Sequence, residues 1–199
     1  MDEVDGFIDA YGNRAHLSSQ TRPEPSFAIV ASGMVETHDR NGVVGRLERD
    51  PVPALFRRTT ALTRPAAAIV NRFRGMPKDG SERIGLLHAL MARVAEVAGE
   101  PAPAQTQTQG TLAQSQTAGA APTAPDHAHA FIGAARALGI PARYVTGYLV
   151  QEDGEGAAFH AWAEAWDDRL GWIGFDATLG LCPTERHVRL AVGLDALTT

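Results

Sequence analysis

His160 and Asp176 are the side chains whose types and spacing most readily combine into one chemical unit. From His160 the chain alternates strictly as His-Ala-Trp-Ala-Glu-Ala-Trp, Asp167-Asp168-Arg169-Leu170 turns it, and Gly171-Trp-Ile-Gly-Phe-Asp176 brings it back. A period of two on either side of a turn predicts an antiparallel hairpin, in which a short loop pairs residues whose numbers sum to about 336. That register sets His160 opposite Asp176 and Glu164 opposite Trp172 on one face. Ala161, Ala163, Ile173 and Phe175 then turn to the core on the other. An imidazole so placed can take and return a proton, and a carboxylate on its second nitrogen fixes the tautomer that does so.

A helix start precedes the hairpin. Thr123 is a good N-cap, Pro125 suits the first turn, and Asp126 complements the positive helix end. Phe131, Ile132, Ala135 and Leu138 continue as an apolar stripe that Gly139 and Pro141 terminate. A cysteine in such a first turn, beside an imidazolium, gains thiolate character. A helix start, a histidine strand and an aspartate strand in this order can bring together the groups that thiol-based acyl transfer needs.

The motifs resemble those of bacterial transglutaminase-like proteins. The runs concerned are Asp126-His127-Ala128-His129, Ala135 through Gly139-Ile-Pro-Ala-Arg-Tyr-Val to Leu149, His160-Ala-Trp-Ala-Glu164, Gly171-Trp-Ile-Gly-Phe-Asp176 and His187-Val-Arg-Leu-Ala-Val-Gly-Leu-Asp195. The likeness runs from roughly residue 111 to 195, and residues 5 to 60 more faintly resemble the β-rich region that precedes this core. It implies an α+β papain-like fold, a helix packed on an antiparallel sheet, with acyl transfer or amide hydrolysis through a thioester in active members. It also implies roles, His160 as general base and acid and Asp176 as its orienting partner. In that family a cysteine stands two residues before the aspartate of the helix start. Ala124 holds that position here, and Pro122, Thr123 and Pro125 depart from the pattern too.

A methyl group cannot attack a carboxamide, so negligible activity is expected. Cys182, the single cysteine, follows Asp176 by six residues and begins on the wrong element, so a packing role is expected for it. An engineered knockout would alter one residue and spare its neighbours. A natural pseudoenzyme that keeps the scaffold is therefore the favoured reading. The rival is a non-catalytic peptide-binding module on the same scaffold, with Gly174 in its cleft.

The elements that must position these groups are legible to different degrees. Ser81 caps a helix over 81–98, striped by Ile84, Leu87, Leu90, Met91, Val94 and Val97. Residues 142–150 and 188–192 read as strands. Residues 4–60 read mainly as β structure, with Phe7-Ile8 before the turn Tyr11-Gly12-Asn13 and a loose alternation from Ser26 to Val35. Residues 101–125 carry no charged side chain and are expected to form a mobile loop. The chain accordingly divides into a partial β-rich region (1–60), a helical part of the core (61–100), a low-complexity loop (101–123) and the transglutaminase-like core (124–199).

Other function classes are disfavoured. A net charge of −5 without basic clusters argues against nucleic acid. No run of about 18 apolar residues could span a membrane, and the acidic N-terminus lacks signal-peptide features, so the cytoplasm is the default compartment. The expected partner is a peptide or protein in a cleft. No cofactor or metal is expected, and a metal-binding protein using His127, His129 and His160 is the further, disfavoured rival: residues two apart on a helix diverge by about 200°, so both rings do not easily reach one ion. Trp162, Trp166 and Trp172 share the face of His160 and either line the cleft or lie under another element. Arg136 and Arg143 are expected in surface or strand-edge contacts. The chain ends are expected to leave strand edges unpaired.

Overall fold

The computed structural model describes residues 2–3, 6–19, 30, 32–78, 80–99, 121–152 and 156–199. Residues 101–120, the bulk of the uncharged stretch, and residues 26–29 of the expected alternation lie outside the described residues.

Residues 4–60 are expected to be mainly β structure, and the described part of the N-terminal region carries five short strands. Among the described residues there, β1 (Asp2–Glu3) pairs with β4 (Ser18–Ser19) and β2 (Phe7–Ile8) with β3 (Arg14–Ala15). A longer-range pairing joins β5 (Val43–Gly45) to the main sheet, and a 3-10 helix follows at Pro53–Arg57. The β2–β3 turn falls where Tyr11-Gly12-Asn13 predicts it, with Gly12 at φ 89° and the Asp9 carboxylate accepting the Tyr11 and Asn13 amides.

Helix α1 (Ala67–Val70) leads to α2 (Glu82–Gly99), whose predicted stripe is the buried face. Helix α3 (Ala124–Ala137) starts as expected: Asp126 accepts hydrogen bonds from the amide and hydroxyl of Thr123 at 2.8 and 2.7 Å. It ends at Gly139, φ 83°, where the Gly139 and Ile140 amides return to the carbonyls of Arg136 and Ala135.

The strands β6 (Ala142–Val150), β7 (Ala157–Asp167), β8 (Gly171–Phe175) and β9 (His187–Gly193) join β5 in an antiparallel sheet of order β5-β8-β7-β6-β9. Helix α3 lies across β7 and β6, with α2 behind it. The contact is close because its residues are small. Ala161, Ala163 and Ala165 on β7 meet Ala128, Ala134 and Ala135 on α3 within one buried cluster, and a side chain at Gly133 would stand 2.6 Å from the Thr63 carbonyl oxygen.

The hairpin has the predicted faces but a register shifted by two. Glu164 stands opposite Gly174 and Trp166 opposite Trp172, because the loop closes over Asp168–Leu170 with Gly171 at φ 80° pairing to Asp167. An even shift preserves the alternation, so Ala161, Ala163, Ile173 and Phe175 do face the core. The outer edge of β9 is not bare: the Asn13 side chain donates to the Val192 carbonyl and accepts from its amide, both at 2.8 Å.

Arg136 and Arg143 are buried, not superficial. The Arg136 guanidinium donates to the carbonyls of Phe56, Arg58, Ala142 and Leu194 and to the Thr63 hydroxyl, tying four segments to α3. Burial lowers its pKa to about 10, so it stays charged at neutral pH. Trp172 is fully buried against Phe56, with Arg143 4.0 Å above its ring, so cover and not a cleft is its role.

Candidate active site

His160 lies on β7 three residues before Ala163, which pairs with Phe175 at the end of β8. Asp176 follows directly and forms an isolated bridge with Leu181. The two are therefore diagonal neighbours on one face and not ladder partners as the expected register had it. Their side chains nevertheless meet, His160 Nε2 to Asp176 Oδ2 at 2.6 Å. The other carboxylate oxygen, Oδ1, accepts the backbone amides of Thr178 and Leu179 at 2.9 and 3.2 Å.

A second histidine, without a role in the sequence reading, completes this group. His187 Nε2 lies 3.2 Å from the same Oδ2. The available signal was its place at the head of the His187–Asp195 motif. Burial alone would raise the Asp176 pKa, but the hydrogen bonds from His160 and His187 outweigh it and hold the carboxyl well below the usual carboxylate range.

Beside this group on the same face, Glu164 is enclosed by cations. Arg143 Nε reaches its Oε2 at 2.6 Å and Arg189 Nε its Oε1 at 2.9 Å, while Arg143 also holds Asp50. Burial opposes ionisation of Glu164, yet the two guanidinium groups keep its pKa depressed. Trp162 packs against the His187 ring at 5.3 Å and lines a cavity of about 240 Å³ with Arg40, Glu164, Pro183, His187 and Arg189. Gly174 is not open to this cavity: a side chain there would meet Pro183 at 2.6 Å.

Ala124 is the first residue of α3 and is half-buried. His127 Nδ1 bonds the Thr123 carbonyl, and His129 accepts the Ala196 amide while stacking on Tyr144. Burial lowers the His129 pKa. Neither ring joins His160. Cys182 packs against the core, and burial raises its thiol pKa. The Cys182 side chain fits because Gly42, φ 75°, has no Cβ, which would lie 2.6 Å from it.

Among the described residues, His160, Asp176 and His187 are also the set whose ligand atoms stand close enough for a metal, within 4.8 Å of one another. In the structure these atoms are hydrogen-bonded, both rings to the one oxygen Asp176 Oδ2. The Thr184 amide donates to His187 Nδ1 at 3.1 Å, so the neutral ring carries its proton on Nε2, the atom a metal would need bare.

The sequence model of the transglutaminase-like superfamily matches residues 68–177. An uncharacterised protein of Mycobacterium leprae is 26% identical over 204 residues, covering 95% of this chain and 71% of its own. Among solved structures, a proposed cysteine protease from Cytophaga hutchinsonii is similar with a TM-score of 0.52 at 22% identity, over 81% of this chain and 54% of its own. The chain thus spans about half the length of that solved relative. The fold is α+β and papain-like, a helix packed on an antiparallel sheet. Among the described residues, no helix is long and apolar enough to cross a membrane.

Proposed function

Because the chain belongs to the transglutaminase-like superfamily, we propose that it is a catalytically silent member, on a scaffold for acyl transfer or amide hydrolysis that lacks the attacking atom. The observation that carries this reading is the intact 2.6 Å pair of His160 and Asp176 on a chain whose helix α3 opens with alanine. A base with a fixed partner is the half of the machinery that accepts the proton; the thiol that would give it up is missing. Amide hydrolysis is also the chemistry suggested by the name of the Cytophaga relative.

The test is Ala124→Cys. The variant is expected to react with iodoacetamide well below the pH at which an ordinary thiol does, and to gain measurable hydrolysis or transamidation of glutamine peptides, while the unaltered chain does neither. A folded but inert variant would show that the cleft has drifted beyond repair by one atom.

A second reading, a peptide-binding module, is favoured by the cavity beside His187 and Trp162. Binding of peptides to the unaltered chain, lost on Trp162→Ala, would support it. Gly174 is a poor probe, since a side chain there would displace the Pro183 loop.

A further inference from the structure

We infer that His187 is a positioning residue of this site, holding the Asp176 carboxylate so that His160 offers Nδ1 as its proton-accepting nitrogen. The inference rests on reading residues 160 and 176 as a transglutaminase-like site, and three hydrogen bonds carry it further. The Thr184 amide donates to His187 Nδ1 at 3.1 Å, which leaves the ring proton on Nε2. That N–H donates to Asp176 Oδ2 at 3.2 Å. His160 Nε2 meets the same oxygen at 2.6 Å, and an ionised carboxylate only accepts, so the proton of neutral His160 is on Nε2 and its Nδ1 keeps the lone pair.

The carboxylate cannot turn. Two backbone amides hold Oδ1 and two imidazoles hold Oδ2. The side chain of His187 is only 2% exposed, against 9% for His160, and its two ring nitrogens are taken by the Thr184 amide and Asp176, so its effect on His160 passes through Asp176. The remaining charges of this face, Arg143, Glu164 and Arg189, bond one another and leave the pair undisturbed. Trp162 seals the His187 ring, and it can do so because Gly147 is bare. A Cβ there would lie 3.0 Å from the indole and 2.1 Å from the Val188 oxygen.

The experiment reads histidine side-chain nitrogens by NMR in the chain as it stands, under conditions where the rings are neutral. Both His187 and His160 are expected with a protonated Nε2 and a bare Nδ1. His187→Leu should leave His160 populating both tautomers, and His187→Gln, which keeps a donor near the Nε2 position, should restore one. In an Ala124→Cys background, His187→Leu should slow alkylation by roughly tenfold, with most of the rate recovered by His187→Gln. A protonated Nδ1 on His187 overturns the inference. So does a folded His187→Leu protein in which the His160 tautomer and the alkylation rate are both unchanged. An inert Ala124→Cys protein with the expected tautomers would instead sink the acyl-transfer reading and leave the role of His187 standing.

Discussion

Arg143 Nε and Glu164 Oε2 stand 2.6 Å apart with neither side chain reached by solvent. An ion pair this deep repays its desolvation only while both partners are present and the spare hydrogen-bonding sites are filled. Here the second oxygen of Glu164 is taken by Arg189 and Arg143 Nη1 holds Asp50, while Arg143 Nη2 has no hydrogen-bond partner and the guanidinium lies over the Trp172 ring, so the network depends on its carboxylates. Glu164→Gln would leave two guanidinium groups without their shared counter-charge. Unfolding by urea should show a loss of about 3 kcal/mol or more. A change under about 1 kcal/mol would mean the network relaxes to solvent, as surface pairs do.

The same carboxylate-to-cation logic gives Asp176 a pH signature. Its folded-state pKa is depressed, because the hydrogen bonds from His160 and His187 outweigh the burial that opposes ionisation. The unfolded chain therefore binds the proton at a higher pH than the folded one. The stabilisation is fully present above the unfolded carboxylate pKa of about 4 and drains away as pH falls below it. Asp176→Asn should cost roughly 2 kcal/mol at pH 6, and its stability gap to the unaltered chain should narrow between about pH 4 and pH 2. An undiminished gap at pH 3 would contradict the depressed pKa.

How much of this was legible beforehand depended on the range of the interaction. The bounds of α3 and the two faces of the 160–176 hairpin follow from caps, a glycine stop and strict alternation, all local signals. The pairing of His160 with Asp176 survived a register error because the shift was even and their long side chains bridge a diagonal. The roles of Arg136, Arg143 and His187 could not be read locally. Arg136 meets carbonyls 78 and 80 residues earlier in the chain, and His187 meets a carboxylate that enters from another strand. A buried cation or ring is specified by partners that only the closed fold assembles. In the N-terminal region the strands are legible but their long-range pairing is not. Its short apolar runs are compatible with strands, but only β5 finds a partner in the main sheet.

Metal binding offers an independent check on these hydrogen bonds. The Oδ2-to-Nε2 separation of 2.6 Å for His160 is a hydrogen bond, and it is shorter than the roughly 3.3 Å between ligands of a tetrahedral ion with bonds of about 2.0–2.1 Å. Capture would also require His187 to give up either its Nε2 proton or the Thr184 amide bond. Untagged protein dialysed against zinc should retain it substoichiometrically, with no change on His187→Leu. One tightly held equivalent, lost in that variant, would show that the three residues form a metal site.

Cys182 provides the control on which the recovery of thiol chemistry depends. It lies on the segment after β8, packed against the core and next to the bare Gly42, and burial pushes its thiol up from the ordinary cysteine value. A raised thiol pKa leaves little thiolate at neutral pH, and partial burial slows access further. The unaltered chain should therefore consume iodoacetamide slowly at pH 7 and release its one equivalent only when unfolded in guanidinium. Ala124→Cys should add a second, fast equivalent, and Cys182→Ala should leave that fast phase intact. If the fast phase vanished with Cys182, or if the unaltered chain already reacted quickly, the thiol of this protein would have moved elsewhere and the silent-enzyme reading would fall.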